Sequence, residues 1–123
     1  MEFNSSIPIY TQILEEFKRR IAAGILQPGD RISPVRELAV DWGVNPNTMQ
    51  RALAALEAEG LLYTERTSGR FVTQDASKVA AMRARMLHQA VRQFADTVAA
   101  MGFTLKDILP IWEEHQKGGE ETP

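Results

Sequence analysis

The chain has 123 residues, 44% of them hydrophobic, a formal net charge of −2 and no cysteine; it can bury one modest core but excludes a disulfide framework and a thiolate zinc site. It contains no apolar run near the roughly 18 residues that span a bilayer, and residues 1–10 lack the basic and apolar regions of a signal peptide, so we expect a cytoplasmic protein without a membrane partner. Residues 1–74 hold eight basic and nine acidic side chains, so binding to nucleic acid would require the positive charge to be concentrated on one face.

The first predicted element is a helix over residues 8–23, which begins at Pro8. Proline suits the first turn of a helix because no backbone partner is needed for its missing N–H. The apolar residues of this helix recur at helical spacing and predict one buried face: Tyr10, Ile13, Leu14, Phe17 and Ile21. A Pro28-Gly29 turn then leads into a short extended segment at residues 31–33.

Residues 35–60 predict two helices joined by a tight turn. The first carries apolar residues at helical spacing: Val35, Leu38, Ala39 and Trp42. Gly43 can take the left-handed conformation that ends a helix, Asn45 is a good N-cap, and Pro46 is a good first helical residue. The second helix has its own apolar face: Met49, Ala52, Leu53 and Leu56. This pattern is typical of a helix-turn-helix, whose second helix enters the DNA major groove.

Four side chains near the start of the second helix are candidates for base contacts: Asn47, Thr48, Gln50 and Arg51. They point away from the apolar face of the helix or flank that direction. Arginine can bind guanine through two hydrogen bonds, and Asn or Gln can pair with adenine. Arg36 lies near the start of the preceding helix, where backbone N–H groups attract phosphate. The alternatives are a solvated helix face and a weak surface pair of Arg36 with Glu37 or Asp41.

A β-hairpin is predicted after the helix-turn-helix, with strands over residues 61–66 and 70–73. Together these elements form a winged helix-turn-helix expected over residues 1–75. The hairpin tip is a candidate for a phosphate or minor-groove contact because it combines arginines with a glycine that permits close approach: Arg66, Ser68, Gly69 and Arg70. A solvated turn is the alternative.

Two further helices are expected over residues 76–116, followed by a disordered tail over residues 117–123. Apolar residues of the first alternate in gaps of four and three, a heptad-type seam: Ala80, Ala84, Leu87, Val91, Phe94, Val98 and Met101. The seam is either intramolecular core or a dimer interface. We favour a homodimer interface, because the last helix is too short to cover the seam. The residues expected in this interface are Leu87, Val91, Phe94, Val98 and Met101.

The last helix is predicted to begin with a capping box at Thr104 and Asp107. It should bury four apolar side chains: Leu105, Ile108, Leu109 and Trp112. Pro110 inside it should kink or shorten it.

The sequence contains few features that are typical of an enzyme. His88 and His115 are the only histidines, and neither belongs to a catalytic or metal-binding motif, so no catalytic residue, metal or cofactor is expected. Met82, Met86 and Met101 beside Phe94 could line a pocket for an unknown small-molecule effector, although Met on a helical stripe is more often core.

Several runs of residues occur in an order that resembles one family: PIYTQI, GILQPGDRI, VRELA, VNPNTMQRAL, LEAEGLL and GRFV. They resemble the GntR-type bacterial transcription regulators, continuously from Pro8 to about Val72. The resemblance implies a dimeric repressor with an N-terminal winged helix. It places DNA contacts at the following positions: Arg36, Asn45, Asn47, Thr48, Gln50 and Gly69. The short two-helix C-terminal part is similar to the YtrA subfamily, whose members often control neighbouring ABC-transporter operons.

Three departures from the family pattern bear on DNA recognition. Many relatives carry Arg at the positions of Pro46 and Gln50, so their base preference does not transfer. Thr67 replaces the first Gly of the usual wing motif, and Ser33-Pro34 replaces the more usual Pro-Ser. The sequence therefore predicts a mainly α fold with a small β-hairpin, and a homodimeric repressor that binds double-stranded DNA at an inverted repeat. The alternative is a winged helix that serves as a protein-interaction module.

Overall fold

The computed structural model describes the backbone of residues 1–121 and the side chains of residues 1–118. Five helices and three strands follow one another: α1 (Ile9–Ala22), β1 (Arg31–Ile32), α2 (Val35–Trp42), α3 (Pro46–Ala58), β2 (Leu62–Glu65), β3 (Gly69–Val72), α4 (Ala76–Ala100) and α5 (Leu105–Glu121). They form two compact units, Met1–Ala84 and the part from Arg85 onwards. The first unit extends into α4, beyond the boundary expected at residue 75, and Met82 of α4 is buried in it. None of the helices in the described part of the chain could cross a membrane.

The core of the first unit lies among α1, α2 and α3. The buried faces follow the helical spacing of the sequence: Ile13, Phe17 and Ile21 on α1, Leu38, Ala39 and Trp42 on α2, and Met49, Ala52, Leu53 and Leu56 on α3. Phe17 and Trp42 stack with ring centroids 4.8 Å apart and join α1 to α2. Tyr10 and Leu14 are only half-buried, so the prediction that they are core residues was wrong. Both lie on the rim of the α1 face, and Tyr10 contacts a side chain of α3 described below.

The turn between α2 and α3 has the geometry that the sequence predicts. Gly43 has φ 67° and ψ 38°, the left-handed conformation in which a side chain would be strained. The Asn45 side-chain oxygen accepts a hydrogen bond from the Asn47 N–H at 2.8 Å, and Pro46 is the first residue of α3. This turn fixes where the second helix begins relative to the first.

The strands form one antiparallel sheet in the order β1-β3-β2. In the predicted hairpin Leu62 pairs with Val72 and Thr64 with Arg70. The short segment β1 adds a third strand, with Arg31 opposite Phe71. The wing is therefore a three-stranded sheet whose base is anchored by buried Leu62 and Val72.

The second unit consists of the rest of α4 and α5, joined at Gly102, which has φ 84°. The Thr104 N–H donates to Asp107 Oδ2 at 2.9 Å, which is the expected cap at the start of α5. Among the described side chains of residues 85–118, none is buried.

The structure of α5 differs from the sequence prediction in the burial and the length of the helix. Leu105, Leu109 and Trp112 are exposed, and Ile108 is half-buried, because α5 has no partner surface that covers them. The helix continues through Pro110, so the proline does not shorten it, and the alternative of a kink there stays a prediction; the proline removes one N–H from the backbone ladder. Residues 117–121 are helical rather than a disordered tail, and residues 122–123 lie outside the described residues.

Candidate DNA-binding surface

The outward face of α3 carries the side chains that the sequence predicts as base contacts. Asn47, Gln50 and Arg51 are exposed, whereas Thr48 is half-buried. Asn45 is exposed, but its side-chain oxygen is engaged in the cap of α3. The polar side chains available to base edges are therefore those of Asn47, Gln50 and Arg51.

Arg51 is held by a contact that the sequence did not suggest. Its guanidinium carbon lies 3.8 Å from the centroid of the Tyr10 ring on α1. A cation over an aromatic face is attracted by the ring's negative face, and the planar guanidinium can stack there. The Tyr10 ring thus orders the Arg51 side chain at the edge of the outward face that is nearer to α1.

Arg36 is exposed in the first turn of α2, beside backbone N–H groups with no side-chain cap. Arg36, Glu37 and Asp41 all lie within the described residues, and Arg36 forms no salt bridge with either acidic side chain. The alternative surface pair is therefore not present. The guanidinium and the helix N-terminus together favour an anion at this position.

The wing tip places Arg66 and Ser68 in solvent. Gly69 has φ 111°, and a Cβ there would lie 3.1 Å from Arg31 Nε. Arg31 Nε also donates to the Ser68 carbonyl at 3.1 Å. Arg31 was missed in the sequence because its contact depends on the pairing of β1 with β3. It braces the tip from one side and is exposed enough to offer its remaining N–H groups to phosphate.

Arg70 differs from the other predicted contacts, because its Nε donates to Glu57 Oε1 of α3 at 3.1 Å. The Thr64 hydroxyl donates to the same carboxylate oxygen. Burial alone would raise the pKa of Glu57, but the hydrogen bonds from Thr64 and Arg70 outweigh it and lower that pKa below the usual value of a glutamate. Arg70 therefore faces α3 rather than solvent.

Three acidic residues of the first unit are paired with basic side chains. Glu16 binds Arg19 and Arg20, and the hydrogen bond from Arg19 is the largest cause that lowers the pKa of Glu16 to about 2. Glu59 pairs with Lys18 at 2.9 Å. Four arginines of residues 1–75, by contrast, have no salt bridge to any described carboxylate: Arg31, Arg36, Arg51 and Arg66. Each of them belongs to β1, the helix-turn-helix or the wing.

The described residues contain no group of three or more acidic or histidine side chains that could hold a metal ion. His88 and His115 are exposed on α4 and α5. The polar groups that α3 and the wing expose are thus arginine and amide side chains, which are suited to contacts with bases and phosphates.

The profile of bacterial regulatory proteins of the gntR family matches residues 9–72, more than half of the chain. The chain belongs to the GntR family. This GntR protein is 43% identical over 72 residues to the HTH-type transcriptional repressor YtrA of Bacillus subtilis, across 58% of this chain and 55% of YtrA. It is 32% identical to a GntR family transcriptional regulator from Listeria monocytogenes, with a TM-score of 0.84 over 91% of this chain and 98% of that one. It is also 34% identical to the DNA-binding domain of AraR, solved in complex with operator ORR3, with a TM-score of 0.52 over 59% of this chain and 86% of that one.

These similarities confirm the family resemblance of the sequence and the winged-helix fold with a helical C-terminal part. The protein is a DNA-binding transcriptional regulator, and its family is one of regulators rather than enzymes. The three departures from the family pattern all lie on or beside the surface described above: Ser33-Pro34, Pro46 with Gln50, and Thr67.

Proposed function

We propose that this GntR regulator binds an inverted-repeat operator as a homodimer and represses transcription by occluding RNA polymerase. The relative YtrA is named a repressor, and the AraR domain was solved on an operator. The resemblance of the sequence to the YtrA subfamily supports the further proposal that it controls a transporter operon. We also infer that it works in the cytoplasm, where bacterial DNA lies, and that it has no catalytic activity.

The proposal of a homodimer is based on the exposure of the second unit. No described side chain of residues 85–118 is buried. Large apolar side chains of α4, and that of Met101 directly after it, are half or more exposed and follow the heptad spacing: Leu87, Val91, Phe94 and Met101. Exposed apolar patches of this kind mark interaction surfaces, and two helices without a core need a partner to be stable. A second copy supplies the same face, as a symmetric dimer interface requires.

We assign the DNA contacts in two groups. Asn47, Gln50 and Arg51 of α3 contact base edges in the major groove, and the start of α3 at Asn45 and Thr48 lies against the same groove. Arg31 and Arg36 contact phosphate together with the wing tip, which consists of Arg66, Ser68 and Gly69. Two copies of this surface, about one helical turn apart, fit an inverted repeat.

A salt titration tests whether the surface binds DNA through phosphate. Four arginines within residues 1–75 of each protomer lack a described carboxylate partner, so a dimer with most of them at phosphates should show a slope of log affinity against log salt of about −5 to −7. The measurement is fluorescence anisotropy of promoter DNA from upstream of its own gene, at several KCl concentrations. If no specific binding is found even at low salt, the protein is instead an interaction module built on a winged helix.

A further inference from the structure

One carboxylate of the recognition helix α3 binds both strands of the β2–β3 hairpin. Glu57 lies in the last turns of α3, and its Oε1 accepts hydrogen bonds from the Thr64 hydroxyl of β2 and from Arg70 Nε of β3. Thr64 and Arg70 are paired residues across the hairpin. The contact therefore joins α3 to the wing at one level of the hairpin, between its buried base and its exposed tip.

The distal half of the wing has few other supports. Its base is anchored by buried Leu62 and Val72, but the residues from Thr64 to Ser68 are all exposed. Beyond the base, the β2–β3 hairpin is linked to its surroundings by the pairing of β3 with β1, by the Glu57 cluster on one side and by the Arg31–Ser68 hydrogen bond on the other. The direction of the tip relative to α3 thus depends on strand pairing and polar contacts.

The pair of Glu57 and Arg70 is sheltered from solvent, since their side chains are 29% and 17% exposed. Two hydrogen bonds to one partially buried carboxylate restrict the motion of the Thr64 and Arg70 side chains more than a fully exposed ion pair would. Arg70 is also turned towards α3, so its Nε is not offered to phosphate.

We propose that Glu57 is a positioning residue for DNA binding, which holds the wing at a fixed angle to the recognition helix so that both contact the operator at once. Arg70 acts through Glu57 rather than as a phosphate contact. Positioning of this kind increases affinity because the wing does not lose conformational freedom when it binds. The inference rests on the proposed contact of the wing tip with DNA.

Electrostatics alone makes the opposite prediction. Glu57 is an acidic residue in a domain that binds a polyanion, so its neutralisation should strengthen binding if the side chain has no positioning role. The sign of the change in affinity therefore separates the two accounts.

The test compares Glu57→Gln with Glu59→Gln on a duplex that the wild-type protein protects from hydroxyl radicals. Both variants remove one negative charge at the C-terminal end of α3, where Glu59 is the C-cap residue, but Glu59 is paired with Lys18 of α1 and has no described contact with the wing. We expect Glu57→Gln to weaken binding about tenfold, with protection lost at the wing-contacted nucleotides and kept at those contacted by α3. Glu59→Gln should stay within about twofold of wild type. Wild-type or tighter binding by Glu57→Gln overturns the proposal.

Arg70→Met gives a second readout that does not depend on the folding of Glu57→Gln. If Arg70 acts through Glu57, the single variants and the double variant lose the same protections and about the same affinity, a strongly non-additive result. If Arg70 instead contacts phosphate, Arg70→Met lowers the salt slope by about one and adds to the effect of Glu57→Gln, which overturns the proposal.

Arg66→Ala separates this inference from the wing contact on which it rests. Loss of wing protection in Arg66→Ala without any loss in Glu57→Gln refutes the positioning role alone. No change of protection in Arg66→Ala refutes the wing contact itself.

Discussion

We expect replacement of Phe94 by Glu to convert the proposed dimer to monomers and to lower its affinity for an inverted-repeat operator by about 100-fold or more. Phe94 is 50% exposed in the single chain and lies in the middle of the heptad face of α4. The charge is therefore tolerated in the folded monomer but is unfavourable in an apolar interface between two copies, where it would be desolvated without a partner. Affinity falls because two half-sites are then bound independently rather than by linked domains.

Sedimentation velocity and operator binding, measured on the same preparations, check this expectation. Gln93→Glu is the matched control, because it introduces the same charge on the adjacent exposed residue, outside the heptad face. It should leave both the dimer and the affinity unchanged. A dimer that persists in Phe94→Glu contradicts the proposed interface.

Truncation of Phe17 to Ala should destabilise the first unit by about 3–5 kcal/mol, the range observed for loss of a buried aromatic side chain. Phe17 is 2% exposed and stacks on Trp42, so its removal opens a cavity between α1 and α2. Arg20 lies over the other aromatic partner, with its guanidinium carbon 4.7 Å from the Trp42 ring centroid. The loss therefore also weakens the support of α2, which positions the turn before α3.

Urea unfolding at a fixed protomer concentration measures this effect, with the more conservative Phe17→Leu as an intermediate step. Val40→Ala serves as the control on α2, because Val40 is 80% exposed and its truncation should change the free energy of unfolding by less than about 0.5 kcal/mol. A cost below about 1 kcal/mol for Phe17→Ala would show that the stack with Trp42 does not belong to the core.

The local features of the fold were predictable because they depend on neighbouring residues. The left-handed Gly43, the Asn45 cap and the buried face of α3 follow from the chemistry of a few adjacent positions. The heptad pattern of α4 likewise predicted which side chains share a face. It could not reveal what covers that face, because periodicity reports the direction of a side chain and not its partner.

The contacts that shape the candidate site were not predictable from the sequence, since they join residues far apart along the chain. Arg31 meets Ser68 only because β1 pairs with β3. The Tyr10 ring meets Arg51 through the packing of α1 on α3, and Tyr10 had been assigned to the core. Apolar periodicity does not distinguish a fully buried residue from one on the rim of a packed face.

The near-neutral charge of the first unit is compatible with DNA binding because charge is distributed unevenly. Glu16 and Glu57 are paired with basic side chains, whereas Arg31, Arg36 and Arg66 have no such partner among the described residues. Other acidic residues, such as Glu37, Asp41 and Glu65, are also without a salt bridge within the described part of the chain. The potential at the DNA surface therefore depends on where the unpaired charges of both signs lie.

Selection of bound fragments from a pool of random duplex DNA tests the central claim most directly. A homodimer with one recognition helix per protomer should enrich an inverted repeat whose half-site centres lie about one helical turn apart. Phe94→Glu should lose this repeat, whereas Gln93→Glu should retain it. Enrichment of no sequence, or of a single half-site without its inverted copy, would contradict a dimeric operator-binding regulator.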